Sequence, residues 1–331
     1  MSIGLDWTLP YASQRSPVLA RNMVATTQPL AAQAGLRMLQ RGGNAADAAI
    51  AAAIALTVVE PVSSGIGCDA FALLCDGGRV HALNATGRTP KKWRARYREK
   101  GIGVNEVWGW ESVTTPGAVS AWVALSQKHG RLPFSVLFEP AIEYARNGFH
   151  VSPNIARMWK GLYRVYQDYP EVLNAFFPGG KAPEPGDVFR FPEQADTFEA
   201  ISATMGETFY RGEIAHQIAA HAMAASADLS LDDLASHTAD WVEPLSISYR
   251  GVTVHEMPPN SQGLAALISL GILENFEMAK YPVDSAESIH LQIEATKLAF
   301  ADVSMHVGDP RSMSRHPEEF LDQTYLRQRA G

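Results

Sequence analysis

Cysteine is almost missing from this chain: Cys68 and Cys75 are the only two in 331 residues. That excludes a disulfide framework and a cysteine-built metal site. Long apolar runs are missing as well. The most apolar stretch, from Ala45 to Val59, contains Asp47 and is too short and too rich in alanine for a membrane span. The opening residues, Met1 to Trp7, offer no apolar core for an export signal, and Asp6 and Arg15 interrupt any such stretch. A cytoplasmic location without membrane contact is the expectation. Positive charge is in deficit, with 28 Lys and Arg against 35 Asp and Glu and a formal charge of -7. A nucleic-acid partner would call for a broad basic footprint. The single basic cluster, Lys91, Lys92, Arg94, Arg96 and Arg98, reads instead as a solvated face.

Apolar content, at 46 %, is ample for a buried core, so disorder is excluded. Length alone allows two domains, although a large layered α/β domain also reaches this size. Thr27-Gln28-Pro29 reads as a helix start with Thr27 as the cap, and Ala31, Ala34, Met38 and Leu39 supply the inward face. Gly42-Gly43 ends that helix. Asn44 caps the next, Ala45 to Leu56, whose small apolar residues on every side predict burial all round. Two strands follow, Ala70 to Cys75 and Arg79 to Ala85, joined by a turn at Asp76-Gly77-Gly78. Thr115 to His150 reads as helical with breaks at Gly130, Pro133 and Gly148, and residues 151–230 as mostly helical around a surface loop from Phe177 to Gly186. A second hairpin turns at Arg250-Gly251 between Leu245–Tyr249 and Val252–Glu256, ahead of a helix at Leu264 to Phe276. The last long helix runs from Ser285 to Val307, with Asp284 as cap, Glu287 at the third position and Gly308 as stop. Its expected core stripe is Ile289, Ile293, Phe300 and Val307. Helical hairpins feeding β-hairpins predict helices layered on antiparallel sheet.

Several motifs carry chemistry only on paper. Gly65-Ile66-Gly67-Cys68-Asp69-Ala70 has the letters of a dinucleotide fingerprint, yet a helix precedes it and a strand follows, the reverse of the order that aims a helix N-terminus at a pyrophosphate. No cofactor is expected. The loop from Ser63 to Asp69 reads either as a tight turn or as a backbone loop lining a cleft. His290 and Glu294 lie one helical turn apart without a third ligand nearby, so no metal is expected there. Ser63 and Ser64 lack the surroundings of a nucleophile elbow and read as loop hydroxyls. Arg88 is the cation of most interest: it follows a strand that leaves the Gly-rich loop, and its planar fork can pair a substrate carboxylate. A surface arginine or an internal ion pair is the competing reading.

Taken together, three blocks at the N-terminal end resemble the opening of the gamma-glutamyltranspeptidases. They are Met23-Val-Ala-Thr-Thr-Gln-Pro-Leu-Ala31, Gly35-Leu-Arg-Met-Leu-Gln-Arg-Gly-Gly-Asn-Ala-Ala-Asp-Ala-Ala49 and Val59-Glu-Pro-Val-Ser-Ser-Gly-Ile-Gly67. The similarity continues through Thr115–Val119, Glu139–Phe149, Phe209–Glu213, Met257–Pro259 and Glu294–Asp302 to Gly308-Asp-Pro310. The resemblance implies an α/β fold, the four-layer α-β-β-α sandwich of the N-terminal-nucleophile hydrolases. It also implies that residues 1–331 form a single large-subunit domain, cut from a precursor whose small subunit completes the sandwich. The nucleophile would then be a Thr just after Gly331, with no catalytic residue in this chain. Its α-amino group, which ordinarily titrates at about 7.7–8.0, would serve as base. The small subunit and a small-molecule amide are the implied partners, and a dimer of such heterodimers is compatible with them.

Two departures bear on substrate. The transpeptidases place the arginine that holds the glutamyl carboxylate where this chain has Thr86, while Arg88 stands two residues later in Gly87-Arg88-Thr89-Pro90. In an extended segment that shift keeps the same face. Gly67 is followed by Cys68-Asp69 rather than by more glycines. The resemblance therefore points toward the transpeptidase-like hydrolases, such as those acting on oxamate, with Arg88 as the substrate-binding residue. The alternatives are a true gamma-glutamyl transferase or glutathione hydrolase, a glutaryl or cephalosporin-type acylase, and a non-catalytic binding module.

Overall fold

The structure, a computed structural model, describes residues 18–93 and 109–331. The reading of Met1 to Trp7 and Arg15, and Arg94, Arg96 and Arg98 of the basic cluster, lie outside the described residues. The chain opens with a helical hairpin, α1 (Pro29–Gln40) and α2 (Ala45–Val59), followed by a β-hairpin, β1 (Ala70–Asp76) and β2 (Arg79–Ala85). The cap of α1 differs from expectation. Gln28, not Thr27, takes that position and accepts from the Leu30 N–H, while the Thr27 hydroxyl donates to Glu60. Asn44 does cap α2, in a reciprocal box with Asp47. The two helices approach closely because Gly35 has no side chain; a Cβ there would lie 2.8 Å from the Ala48 carbonyl oxygen. The turn between the strands uses Gly77 and Gly78 at positive φ, as the sequence anticipates.

Two compact bodies make up the chain. The larger comprises Asn22–Phe71 and Ala85–Asp240. Beyond α1 and α2 it contains α3 (Ala118–His129), α4 (Glu139–Asn147), α5 (Pro153–Tyr166), α6 (Pro192–Ala203) and α7 (Glu213–Ala224). A short antiparallel pair, β3 (Phe149–His150) and β4 (Val188–Phe189), brackets the Pro/Gly-rich loop. Its core gathers Met38, Ile50, Ile54, Leu137 and Ile201 with an aromatic cluster in which Phe138 meets Trp122, Phe134 and Phe198 edge-on. Such tilted ring contacts add to the area they bury.

The smaller body comprises Ala72–Asn84 and Trp241–Gly331, with residues 18–21. β1 and β2 join β5 (Asp240–Val242) in a three-stranded sheet of order β1-β2-β5. β6 (Leu245–Tyr249) and β7 (Val252–Glu256) form the second hairpin, with Ile247 opposite Val254. Arg250 and Gly251 both adopt positive φ, which a two-residue turn of the primed type demands. Helices α8 (Gly263–Leu273), α9 (Ala286–His306) and α10 (Gln323–Ala330) complete this body. Gly271 allows them to close up: a Cβ there would lie 2.5 Å from Leu326 and 2.7 Å from Ile247.

The expected stripe of α9 needs correction. Ile289, Ile293 and Phe300 are 42 %, 51 % and 44 % exposed, whereas Ser288, Ala295, Ala299, Asp302 and Val303 are buried. Close packing of α9 on α8 selects small side chains at the contact, so the largest apolar residues are displaced to the other face. Only Val307 of the expected four packs against the core. The cap also shifts by one, to Ser285, with Asp284 at positive φ and Glu287 at the second helical position. The helix ends at His306, capped by Val307 rather than stopped at Gly308.

Candidate functional site

Arg88 belongs to a knot of three backbone segments within the larger body. Its carbonyl accepts the Thr115 N–H at 3.0 Å, and the N–H groups of Gly117 and Ala118 donate to the Cys68 carbonyl at 3.0 and 2.9 Å. The loop around Gly65–Asp69, the segment from Ala85 to Arg88 and the segment from Thr115 to Ala118 are thus bound backbone to backbone. Two glycines make this possible. A Cβ on Gly87 would lie 1.4 Å from the Thr115 carbonyl oxygen, and one on Gly117 would lie 1.7 Å from that of Ala85. No side chain fits at either place, so any substitution must pull the segments apart. The sequence reading placed Arg88 and the loop on one cleft, and Thr115 to Ala118 is the segment that ties both down.

The same segment starts α3, whose first N–H groups have no partner inside the helix. Ala118 uses Cys68; Ser120 donates its N–H to the Tyr210 hydroxyl at 3.0 Å. Tyr210 in turn donates to the Pro116 carbonyl at 2.9 Å. Burial pushes the Tyr210 phenol up to about 12, so it stays a donor throughout the useful pH range. His237 stacks on the Tyr210 ring, with centroids 5.3 Å apart, and its Nε2 lies 2.9 Å from Ser120 Oγ. The Ser120 hydroxyl already gives its proton to the Gly117 carbonyl at 2.7 Å, so the imidazole is the donor in that contact. Burial holds His237 below the usual imidazole range; the Arg88 guanidinium adds to the effect and Asp240 opposes it.

Three residues past His237, Asp240 closes the circle. Its Oδ2 lies 3.5 Å from Arg88 Nη2, with the two side chains 55 % and 51 % exposed respectively. Arg88 therefore combines an immobilised backbone with a guanidinium that water and solutes can reach. Neither Asp240 nor the Ser120–His237–Tyr210 support was read from the sequence. Tyr210 alone had a signal, inside the block Phe209–Glu213.

The remaining candidates have structural partners of their own. The Ser63 hydroxyl donates to Glu60 at 2.6 Å, and the same carboxylate receives Thr27 at 2.7 Å, which fixes the exit of α2. Glu294 pairs with Lys297 at 2.8 Å, an interaction that lowers the carboxyl below its usual range. Among the described residues no group of three His, Cys, Asp or Glu side chains is placed to hold a metal ion. The fingerprint letters at Gly65–Ala70 follow α2 and run into the first residue of β1, in the order the sequence indicated. The Cys68 thiol is raised, first by burial, against the Gly65 hydrogen bond and with help from Asp69. Lys91 is tied to Asp232 and its backbone N–H to Asp233, so this part of the basic cluster is ion-paired surface. Among the described residues no helix is long and apolar enough to cross a membrane.

Among the described residues, helices and short antiparallel strands with an exposed Arg88 on a backbone-bonded mount define a mixed helix-and-strand class. Comparison with known proteins then places it. The gamma-glutamyltranspeptidase family model matches residues 31–331, and this chain belongs to that family. It is 36 % identical over 319 residues to the glutathione hydrolase-like YwrD proenzyme of Bacillus subtilis, covering 96 % of this chain and 61 % of that protein. It is 32 % identical to the oxamate amidohydrolase proenzyme of Klebsiella pneumoniae, covering 92 % of this chain and 59 % of that one. Among solved structures, the cephalosporin acylase from Bacillus halodurans superposes with a TM-score of 0.92 at 44 % identity, over 99 % of this chain and 62 % of that chain. The fold is accordingly that of the N-terminal-nucleophile hydrolases, as the sequence resemblance implied. The chain spans about six-tenths of the length of these relatives.

Proposed function

We propose that this chain is the large subunit of an autoprocessed amidohydrolase that cleaves a small amide bearing a carboxylate, oxamate-like or gamma-glutamyl. The carrying observation is Arg88: its backbone is locked by Thr115 and Gly87, yet its guanidinium is half exposed and, among the described residues, meets one loose counter-ion at 3.5 Å. A planar fork with spare donors on a rigid mount suits a carboxylate ligand. Two relatives carry names of matching chemistry, an oxamate amidohydrolase and a glutathione hydrolase-like protein, and both are proenzymes. The names support a precursor that is cut in two, with the small subunit as partner.

In this reading the nucleophile is the N-terminal Thr of the small subunit. Its hydroxyl attacks the amide carbonyl, the α-amino group takes the proton, and the amine leaves. Water then releases the acyl group as a carboxylic acid. The large subunit binds and orients: Arg88 takes the ligand carboxylate and the Ser63–Asp69 loop shapes the pocket floor. No cofactor is called for, and we place the activity in the cytoplasm on the sequence reading.

The test is Arg88→Ala in the processed enzyme. Losing a charged hydrogen-bonded contact costs about 1.5–3 kcal/mol, so KM should rise roughly 10- to 100-fold while self-cleavage persists. Unchanged kinetics would remove Arg88 from the site. Mass spectrometry of the purified protein should show a smaller chain beginning with Thr, and a gamma-glutamyl anilide assayed with and without a dipeptide acceptor separates hydrolysis from transfer.

A further inference from the structure

Amide hydrolysis changes the charge of what Arg88 holds. The C–N bond breaks, a C–O bond forms from water, and the released amine keeps the proton that the new carboxylic acid loses. A substrate that enters with one carboxylate therefore leaves with two. An isolated arginine would attract the product more strongly than the substrate, because a second negative charge adds to the first. Such an anchor would favour product retention.

Arg88 is not isolated. Asp240 stands 3.5 Å from its Nη2, and both groups are open to solvent. The aspartate is held there by what precedes and follows it. His237, three residues earlier, is wedged between the Tyr210 ring and Ser120, and β5 starts at Asp240 itself. An aspartate side chain is also short, so its charge cannot swing far from the cation. One contact leaves most of the five guanidinium donors unused. A single ligand carboxylate can still be seated, beside a fixed negative charge.

We propose that Asp240 is a specificity-determining residue that penalises the dianionic product at Arg88 more than the monoanionic amide, and so promotes product release. The proposal rests on the reading of Arg88 as the carboxylate anchor. Repulsion from Asp240 acts on every negative charge of the ligand, and the second carboxylate is the group that distinguishes product from substrate. An exposed ion pair of this kind contributes little to folding, so removing its charge leaves the protein intact.

The experiment compares oxamate and oxalate as probes on the processed two-chain enzyme, by calorimetric Kd and by inhibition constants. Asp240→Asn keeps the shape and removes the charge. It should tighten oxalate roughly three- to fourfold and oxamate only about twofold, so that their affinity ratio changes. Equal tightening of both, or weakening of both, overturns the proposal, since a residue that merely holds Arg88 in place moves the two ligands together. Failure of the unaltered enzyme to bind either probe overturns it as well. In an Arg88→Ala background the Asp240→Asn effect should vanish. If Arg88→Ala weakens both probes while Asp240→Asn does nothing, the anchor stands and Asp240 falls. If Arg88→Ala leaves both affinities unchanged, the anchor reading itself is lost.

Discussion

Two carboxylates in the larger body put one chemical group to opposite uses. Asp47 is completely buried, and its oxygens accept the backbone N–H groups of Asn44 at 2.9 Å, Arg131 at 3.1 Å and Leu132 at 3.4 Å. Asp240 is half exposed; among the described residues it meets the Arg88 guanidinium at 3.5 Å and accepts the Thr238 hydroxyl at 3.4 Å. The first is fully satisfied by the chain, joining the start of α2 to the turn after α3. The second and its arginine keep unused valence toward solvent. Burial alone would mark Asp47 as the unusual residue, but saturation with backbone donors makes it architecture. A charge pair with spare donors on an immobile mount is what a ligand can use.

Breaking Asp47 should give the largest effect. Asp47→Ala leaves three backbone donors without their acceptor in a buried place, at about 1–3 kcal/mol each when unrelieved. Allowing for some relaxation, the expected loss is about 3–5 kcal/mol, read by urea denaturation of the whole protein. Asp47→Asn should recover only part of it, because one oxygen becomes a donor facing donors. A loss below about 1 kcal/mol would mean that water or a shifted backbone replaces the carboxylate, and the contrast with Asp240 would fail.

Arg88 should behave in the opposite sense. Its exposed pair predicts a stability change within about 0.5 kcal/mol on substitution by alanine, while KM moves by the far larger factor given above. A variant that instead unfolds at lower denaturant with unchanged KM would place Arg88 with Asp47, as a structural ion. Stability and KM measured on the same preparation therefore sort the two carboxylate sites without further assumptions.

Local elements were legible where one short stretch of sequence decides them. Asn44 announces the cap of α2, its alanines announce burial on all sides, and Gly77-Gly78 and Arg250-Gly251 announce the two hairpins. Arg88, whose role as anchor is the proposal made above, was singled out for the same reason, since it closely follows β2. The rest of the site was not. Ser120 meets His237 across 117 positions and Tyr210 across 90, and no spacing rule connects residues so far apart. Asp240 is likewise drawn to Arg88 by the fold, not by any pattern around it. The stripe of α9 failed on a different count. Hydrophobic size is a poor sign of burial on that helix, where Ala295 and Ala299 are buried and Ile289, Ile293 and Phe300 are not.

The finest test bears on the support beneath the Arg88–Asp240 pair. His237 is buried and held below the usual imidazole range, chiefly by that burial, with Arg88 adding and Asp240 opposing. A group whose folded pKa is depressed binds fewer protons in the folded state than in the unfolded one. Stability should therefore be complete above the unfolded value of about 6.5 and should decline as pH falls through it, until the folded imidazole also protonates. The slope from one residue is bounded by one proton, which makes this the smallest of the expected effects. His237→Gln should flatten that part of the stability–pH curve in paired denaturation series at about pH 7.5 and about pH 5, either side of the imidazole range. Asp240→Asn should steepen it, because the one group favouring the imidazolium is gone and Arg88 remains. An unchanged slope in Asp240→Asn would show that the charge at Asp240 is spent on solvent and not on its neighbours, and would weaken its claim on a ligand at Arg88 by the same measure.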